Sequence, residues 1–290
     1  MGTIPAWLDR EAYPFTNRWL KVADGELHYI DEGTGGTPVL FVHGTPTWSF
    51  EWRHLVRALS PSHRSIALDH LGFGLSDRPM AVSYTPEAHA RRLAEFVRGL
   101  GLSEVILVVH DYGGPIAFPL ALDRTVRVRQ LVILNSWMWP FDDDDEMRRR
   151  ARLAGGAFGR LLYRYVNASL RMIMPSAYGD PSKLTKAIYA QYLAPFPDAW
   201  SRGAVLWPLA HALLGSSAFY RSLWERRDRL AQTPTLIVWG MRDSAFKPNQ
   251  LARWRSALPH ARVVDLPAGH WPHEELPNDV SRAVGDFVGV

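Results

Sequence analysis

The stretch from residue 106 to 114, ILVVHDYGG, constrains the fold of this chain more than any other part of it. A short apolar run, mostly β-branched, ends at a charged residue, and a pair of glycines then begins a helical segment. This pattern predicts a buried parallel strand that meets a sharp turn and presents one side chain at the carboxyl edge of a sheet. Asp111 occupies that position, and Gly113 lacks the Cβ that would crowd the turn two residues later.

Two interpretations of Asp111 fit this stretch equally well. An aspartate after a strand is a common N-cap of the following helix. The nucleophile of an α/β hydrolase stands on the same kind of elbow, usually within the pattern G-x-S-x-G. Here the central residue is Asp111 and the first small position is Val109, so the stretch alone does not decide between them.

Length and composition exclude several classes of protein. A chain of 290 residues suits one large α/β domain or a core with an inserted lid. The net charge of +4 is small and the basic residues are scattered, so we expect no nucleic acid partner. No apolar run approaches the roughly 18–20 residues that span a bilayer, so we expect no membrane partner. The N-terminus lacks a secretory pattern and the chain has no cysteine, which predicts a cytoplasmic protein without disulfides or cysteine metal sites.

Strands alternate with helices along most of the chain. The predicted strands are a hairpin at 18–31, then 37–42, 65–68, the run before Asp111, 131–134, 235–238 and 262–266, and the predicted helices are 51–59, 86–100 and one from Pro277. This alternation predicts a mostly parallel central sheet with helices on both faces. Residues 137–224 are helical and rich in aromatic residues, with no convincing strand, which predicts an inserted helical cap. The expected domains are a core of residues 1–136 and 225–290 and a cap of residues 137–224.

Polar residues follow several of the predicted strands directly. They are Thr45, Asp111, Asn135, Asp243 and His270. In open α/β sheets the ligand binds at the carboxyl ends of the strands. We therefore expect these side chains to lie at one edge of the sheet and to form a site there.

The order of three of these residues favours the nucleophile over the N-cap. A carboxylate on a strained turn can attack an electrophilic carbon and form an ester, and a histidine such as His270 can then activate water. Asp243 can hold the imidazole and stabilise its protonated form. Nucleophile, acid and histidine follow one another as in α/β hydrolases, and the backbone N–H groups of Thr45 and Tyr112 stand where the oxyanion hole is expected.

The chain resembles the haloalkane dehalogenase family of α/β hydrolases over nearly its whole length. The matching segments are HYIDEG, FVHGTPTWSFEWR, DHLGFGLSDRP, VVHDYGGPIA, LNSWMWP, GMRDSAF and AGHWPHEE. The resemblance implies an α/β-hydrolase fold and a small halogenated substrate, from which Asp111 displaces halide. Water activated by His270 then hydrolyses the ester to an alcohol, without a cofactor or metal. Some branches carry the acid where this chain has Asn135, so it resembles the branches whose acid follows the cap, at Asp243.

Two positions depart from the family pattern. Family members usually hold the leaving halide with the indole of a Trp after the nucleophile and, in most branches, an Asn in the His-Gly loop. This chain has Tyr112 and Thr45 at those positions. The remaining candidates for halide or substrate binding are the four tryptophans near the expected site: Trp48, Trp137, Trp139 and Trp207.

These departures leave other functions open. Epoxide hydrolases use the same machinery with cap tyrosines, and Tyr163, Tyr165, Tyr178, Tyr189 and Tyr192 lie in the predicted cap. An Asp-nucleophile hydrolase with weak dehalogenase activity and a ligand-binding homologue without turnover are further alternatives. Fluoroacetate dehalogenases carry an Arg after the nucleophile, which Tyr112 argues against. His43, His110 and His273 show no carboxylate or cysteine partner at metal-ligand spacing, so we expect no metal site.

Overall fold

A computed structural model describes residues 3–290, which form an eight-stranded sheet with helices around it. The strands are β1 (Asn17–Val22), β2 (Gly25–Glu32), β3 (Val39–Val42), β4 (Ser65–Leu68), β5 (Glu104–Asp111), β6 (Arg127–Ser136), β7 (Thr235–Gly240) and β8 (Arg262–Leu266). Their order in the sheet is β1-β2-β4-β3-β5-β6-β7-β8. Only β2 runs antiparallel to its neighbours, and the other paired strands are parallel. The predicted α/β class with a mostly parallel sheet is confirmed.

The burial of the central strands follows from their sequences. All residues of β3, β4 and β7 are buried, as a parallel sheet covered on both faces requires. The predicted hairpin is confirmed, with Val22 paired to Gly25 across its turn. The strand predicted at 131–134 is longer than expected, because β6 begins at Arg127 with partly exposed residues that an apolar pattern does not mark.

The helices are α1 (Arg53–Leu59), α2 (Pro86–Gly99), α3 (Gly113–Leu122), α4 (Asp145–Gly155), α5 (Ala157–Leu161), α6 (Met174–Ala177), α7 (Lys186–Leu193), α8 (Ala199–Ser201), α9 (Trp207–Gly215), α10 (Ser217–Glu225), α11 (Pro248–Ala257), α12 (Pro272–Glu275) and α13 (Pro277–Val288). Short 3₁₀ turns lie at Ser49–Trp52, Pro181–Lys183 and Arg227–Leu230, and π turns at Leu162–Val166, Ser169–Ile173 and Arg202–Leu206. The helix predicted at 51–59 is thus a 3₁₀ turn followed by α1. Helix α11, which begins at a proline, was not predicted.

Helices α4 to α10 lie between β6 and β7, and no strand interrupts them within residues 3–290. They contribute most of the lining of a cavity at the carboxyl edge of the sheet. The cap boundaries of 137 and 224 stay a prediction. Within the same described range, no helix is long and apolar enough to cross a membrane.

Candidate active site

Asp111 ends β5 on a strained turn. Its φ of +48° lies in the left-handed region, which costs free energy for a residue other than glycine. The turn is also tight, because a Cβ on Gly113 would lie 2.0 Å from the carbonyl oxygen of Val42 and a Cβ on Gly44 would lie 2.4 Å from the Cβ of Asp111. Ser136 Oγ donates a 2.6 Å hydrogen bond to the Asp111 carbonyl and holds the elbow against β6. The expected need for glycine at position 113 is confirmed.

His270, in the loop after β8, stands between two carboxylates. Its Nδ1 lies 2.7 Å from Asp243 Oδ2, which is a short hydrogen bond. Its Nε2 lies 3.6 Å from Asp111 Oδ1, beyond hydrogen-bond reach. All three side chains are buried. The structure therefore brings together the three residues that the sequence predicts as a triad.

Asp243 is held in place by one group in its own loop and one on β6. Ala245 N–H donates to its Oδ1 at 2.7 Å, and Asn135 Nδ2 donates to its Oδ2 at 2.8 Å. The Asn135 amide is oriented in turn because its Oδ1 accepts a 2.8 Å bond from the Gly240 N–H. Asn135 thus lies beside Asp243, which the sequence predicts to be the acid instead of residue 135.

Burial and charge act in opposite directions on the pKa values of these groups. Burial disfavours a charged His270, but Asp243, and after it Asp111, raise the pKa of this imidazole to about 9. Burial likewise opposes ionisation of Asp243, yet His270 holds the pKa of this carboxyl below its usual value. For Asp111 burial prevails and raises the pKa, although His270 opposes the shift.

The Asp111 carboxylate accepts hydrogen bonds from two backbone groups. Thr45 N–H donates to Oδ2 at 2.9 Å. The Tyr112 N–H also lowers the pKa of this carboxyl as a hydrogen-bond donor. These are the two backbone groups that the sequence predicts for an oxyanion hole. Oδ1, which faces His270, is left as the oxygen that can react.

Asp111 and His270 line a cavity of about 410 Å³, together with Thr45 and Tyr112. Its other walls are mainly apolar and include cap side chains: Met147, Leu153, Leu162, Met172, Ile173 and Leu213. A pocket of this size, with few polar groups, suits a small apolar ligand.

Comparison with known proteins identifies the family. The family model described as "alpha/beta hydrolase fold" matches residues 37–277. Haloalkane dehalogenase 2 of Mycobacterium tuberculosis is 36% identical over 97% of this chain and 98% of its own length. The chain belongs to the haloalkane dehalogenase family of α/β hydrolases. The crystal structure of haloalkane dehalogenase DbeA from Bradyrhizobium elkani has a TM-score of 0.82 at 27% identity, covering 94% of this chain and 97% of that one.

A relative with a different printed activity is also similar. The cis-3-alkyl-4-alkyloxetan-2-one decarboxylase of Shewanella oneidensis is 32% identical over 95% of this chain and 89% of its own length. The chain is therefore also similar to a protein named for a decarboxylation of an oxetan-2-one.

The side chains at the two positions that depart from the dehalogenase pattern differ in whether their hydroxyl groups already have a hydrogen-bond partner. The Tyr112 hydroxyl donates to the carbonyl oxygen of Leu209 in α9 and receives a long 3.5 Å contact from the Tyr220 hydroxyl. Its proton is therefore directed at the cap and away from the cavity. Thr45 Oγ1 is buried without a hydrogen-bond partner, and Thr45 lines the cavity beside Asp111. Of these two positions, Thr45 is thus the one whose hydroxyl has no partner within the protein.

None of the four candidate tryptophans lines this cavity. The Trp48 indole donates to the Gln191 carbonyl at 3.0 Å, and the Trp139 indole donates to Gln250 Oε1 at 2.9 Å. Their donors are therefore occupied within the protein. The indole nitrogens of Trp137 and Trp207 have no partner. However, Trp137 packs edge-on against the Tyr112 ring, at 4.7 Å between centroids, and Trp207 lies in a separate groove.

The cap tyrosines are similarly dispersed. Tyr163 lines the cavity, and burial raises its pKa to about 12. The hydroxyls of Tyr189 and Tyr192 donate to Leu170 O and to a Glu274 carboxylate oxygen. Tyr178 stacks on Trp271 and Tyr165 is exposed. One cap tyrosine therefore reaches the cavity, where an epoxide hydrolase pattern expects more than one.

A buried carboxylate that the sequence interpretation missed lies behind His270. Glu51 Oε1 is 3.4 Å from His110 Nδ1, and Glu51 Oε2 is 3.7 Å from His273 Nε2. The expectation that these histidines have no carboxylate partner was wrong, because the 3₁₀ turn before α1 brings Glu51 to them. A carboxylate within the aromatic run WSFEW was the available signal.

The Glu51 cluster supports the site through His110. His110 Nε2 donates to the His270 carbonyl at 2.8 Å, so a neutral His110 would face Glu51 with an unprotonated nitrogen. A proton or a metal ion between Glu51 Oε1 and His110 Nδ1 would let these two acceptor atoms interact favourably. Within residues 3–290, Glu51, His110 and His273 form the one group whose ligand atoms could share a metal, all within 4.8 Å of one another.

Proposed function

We propose that the protein is a hydrolase that cleaves carbon–halogen bonds of haloalkanes and gives an alcohol and a halide ion. One observation carries the proposal: a buried carboxylate in an apolar cavity has one oxygen fixed by backbone donors and the other directed toward a histidine. This geometry suits attack on a saturated carbon followed by hydrolysis of the resulting ester. Water and a small halogenated molecule are the two reactants.

The first step forms the ester. Asp111 Oδ1 attacks the carbon from the side opposite the halogen, the new C–O bond forms, and the halide leaves with the electrons of the C–X bond. The hydroxyl of Thr45 donates to the departing halide, because it lines the cavity and has no other partner. Bromides are the preferred substrates, since bromide leaves more easily than chloride.

The second step hydrolyses the ester. A water molecule near Asp111 gives a proton to His270 Nε2 and attacks the Asp111 carboxyl carbon. The negative charge of the tetrahedral intermediate develops on Oδ2, where the N–H groups of Thr45 and Tyr112 stabilise it. Collapse of the intermediate expels the alcohol, which takes the proton from His270, and the Asp111 carboxylic acid then releases its own proton to solvent and becomes a carboxylate again. Asp243 stabilises the imidazolium while it carries that proton.

Ester formation also prepares the base. A protonated imidazole cannot take a proton from water, and the pKa of His270 is about 9 while Asp111 is charged. The ester is neutral, so one of the charges that raise this pKa disappears after the first step. We infer that His270 becomes a better base at the moment when hydrolysis requires one. In this proposal, the cap of residues 137–224 completes the cavity. We also propose that the protein is cytoplasmic.

A halide-release assay on a panel of bromoalkanes tests the proposal, with an epoxide of the styrene oxide type measured in parallel. Halide and the matching alcohol in equal amounts are expected. In the His270→Ala variant the first step should proceed and the alkyl group should stay on Asp111, visible as a mass increase of the intact protein. Absence of halide from every bromoalkane, together with diol from the epoxide, would overturn the assignment.

A second candidate reaction is loss of carbon dioxide from a 3,4-dialkyl oxetan-2-one. The 32% identity with the named decarboxylase favours it, as does the absence of the four candidate tryptophans from the cavity lining. Attack of Asp111 Oδ1 on ring carbon 4 breaks the ring C–O bond and frees a carboxylate on carbon 3. Loss of that carboxylate as carbon dioxide forms the alkene and expels Asp111, with no water consumed. Gas chromatography of the alkene with this lactone as the only substrate distinguishes the two reactions.

A further inference from the structure

The cap exposes a concentration of large apolar side chains. Ten such side chains are exposed within residues 3–290, and seven of them lie between residues 153 and 173. They are Leu153, Phe158, Leu161, Tyr165, Val166, Met172 and Ile173. Exposed apolar residues that are scattered singly need no explanation, whereas a cluster of them marks an interaction surface. We call these seven residues, with the arginines between 147 and 179, the cap face.

The cap face borders the cavity of the candidate active site. Leu153, Met172 and Ile173 are exposed and also line the cavity that holds Asp111. Helix α5 and the π turn after it, which carry Phe158, Leu161 and Tyr165, follow α4 directly in the chain. An apolar molecule would therefore enter the cavity across this exposed apolar surface.

The charge of the cap face has one sign. Residues 147–179 contain seven arginines and no aspartate or glutamate. Arg148 and Arg150 pair with carboxylates of the preceding turn. Among the described residues, the other five have no carboxylate within 4 Å: Arg149, Arg152, Arg160, Arg164 and Arg171. Unpaired guanidinium groups interleaved with exposed apolar side chains are typical of surfaces that bind anionic membranes.

A groove on the cap face holds polar donors without partners. It has a volume of about 650 Å³ and is lined by Arg160, Arg164, Tyr165 and Trp207, among others. The Arg160 guanidinium lies 5.0 Å from the Trp207 ring centre, and the Trp207 indole nitrogen is buried with no hydrogen-bond partner. Two guanidinium groups and an indole N–H suit the oxygens of a phosphate headgroup. Trp and Tyr are also enriched at the boundary between a bilayer and water.

We propose that the cap face docks on the surface of a bilayer that carries anionic phospholipids, so that an apolar substrate enters the cavity from the lipid. The entry of substrate rests on the proposed function, whereas the docking does not. A second copy of the chain is a poorer occupant, because two such faces related by a two-fold axis would place arginines against arginines. The expectation of no membrane partner rested on the lack of a spanning segment, which a surface-bound protein does not need.

Vesicle co-sedimentation of the full chain, without substrate, tests the docking. Binding is expected to vesicles that contain phosphatidylglycerol and not to vesicles of phosphatidylcholine alone. Each arginine near an anionic surface contributes roughly fivefold to binding, so Arg160→Gln with Arg164→Gln should weaken it about 25-fold. Phe158→Asp should abolish it. High salt should weaken binding of the unchanged chain, because the attraction is partly electrostatic.

Matched controls lie elsewhere on the surface. Met80→Asp changes the most exposed large apolar side chain, at 80% exposure, and Arg98→Gln with Arg262→Gln removes two charges outside the cap face. Both controls should bind as the unchanged chain does. All variants should keep the same rate on a short, water-soluble bromoalkane, since none of the substituted residues lines the cavity.

Three results would overturn the docking proposal. They are equal binding to both kinds of vesicle, no binding to either, and undiminished binding of the Phe158 and arginine variants. A dimer in light scattering that Phe158→Asp dissolves, without vesicle binding, would assign the face to a second copy instead. Vesicle binding by a chain that turns over no bromoalkane would leave the docking in place and remove the proposed function.

Discussion

Replacing Asp243 by Asn is expected to separate the two chemical steps. Asp243 accepts from His270 Nδ1 and Asn135 Nδ2 at one oxygen and from the Ala245 N–H at the other. An amide has a single oxygen, so one of these sites would face an NH₂ group. If that group faces His270, the imidazole must carry its proton on Nε2, where it cannot act as a base. In either orientation the imidazolium loses its counter-charge.

The size of the effect follows from the role of the carboxylate. In the serine-protease triad, the same substitution leaves the geometry intact and lowers kcat by about 10⁴, because the tautomer is wrong. That factor corresponds to about 5 kcal/mol of transition-state stabilisation. Here we expect this decrease in rate for ester hydrolysis alone. Ester formation needs only Asp111 and its donors, neither of which contacts Asp243.

Rapid-mixing measurement of halide with intact-protein mass spectrometry checks this expectation. Asp243→Asn should release about one halide per protein in a fast burst and then accumulate the ester. The matched control is Asp265→Asn, an exposed aspartate on β8 paired with Arg255, which should behave as the unchanged chain. A loss below tenfold, or an equal slowing of both steps without a burst, would refute the role given to Asp243.

Further predictions concern residues around this site. Thr45→Val should slow ester formation about 10²-fold, whereas Thr45→Ser should preserve its rate. Both variants keep the backbone N–H, and only the serine keeps the hydroxyl. Equal rates of halide release by the two variants in a single turnover would contradict the donor role. Tyr112→Phe should change the rate of halide release less than threefold. It should lower the free energy of unfolding by about 1–2 kcal/mol in urea titration, because the Leu209 carbonyl loses its buried donor. Glu51→Gln should move the rising limb of the pH profile of ester hydrolysis to lower pH. Glu51 raises the pKa of His270, and a lower pKa leaves the imidazole neutral at lower pH; a limb that stays in place or moves up would show that Glu51 does not act on His270. Zinc titration by thermal shift on the same variant separates a metal from a proton in the Glu51 cluster, because only a metal would stabilise the unchanged chain and not Glu51→Gln.

Sequence patterns predicted the elbow and the triad because each residue follows directly from a strand. Asp111 ends β5, Asp243 and His270 lie in the loops after β7 and β8, and parallel strands bring their carboxyl ends to one edge. Side-chain direction was not predictable in the same way. Whether Tyr112 donates into the cavity or to the cap depends on a carbonyl 97 residues away in sequence.

The same limit explains why the partners of the tryptophans and of Glu51 were not predicted. Trp48 and Trp139 were reasonable donors by position, but their partners Gln191 and Gln250 come from distant helices that no local pattern connects to them. Glu51 meets its histidines only because β5 and α12 place them beside the 3₁₀ turn before α1. Charge and residue type marked these positions as unusual, and only tertiary packing assigns their contacts.

The charges around His270 connect these residues into one device. Three buried carboxylates raise the pKa of this imidazole, from Asp243, Asp111 and Glu51. In the proposed reaction one of the three charges is removed and later restored, because Asp111 would be neutral only while it carries the alkyl group. Asp243 and Glu51 keep their charge throughout and stabilise the imidazolium that hydrolysis forms. The residue proposed to form the ester would therefore also control when His270 can act as a base, which no assignment of separate roles to the triad would predict.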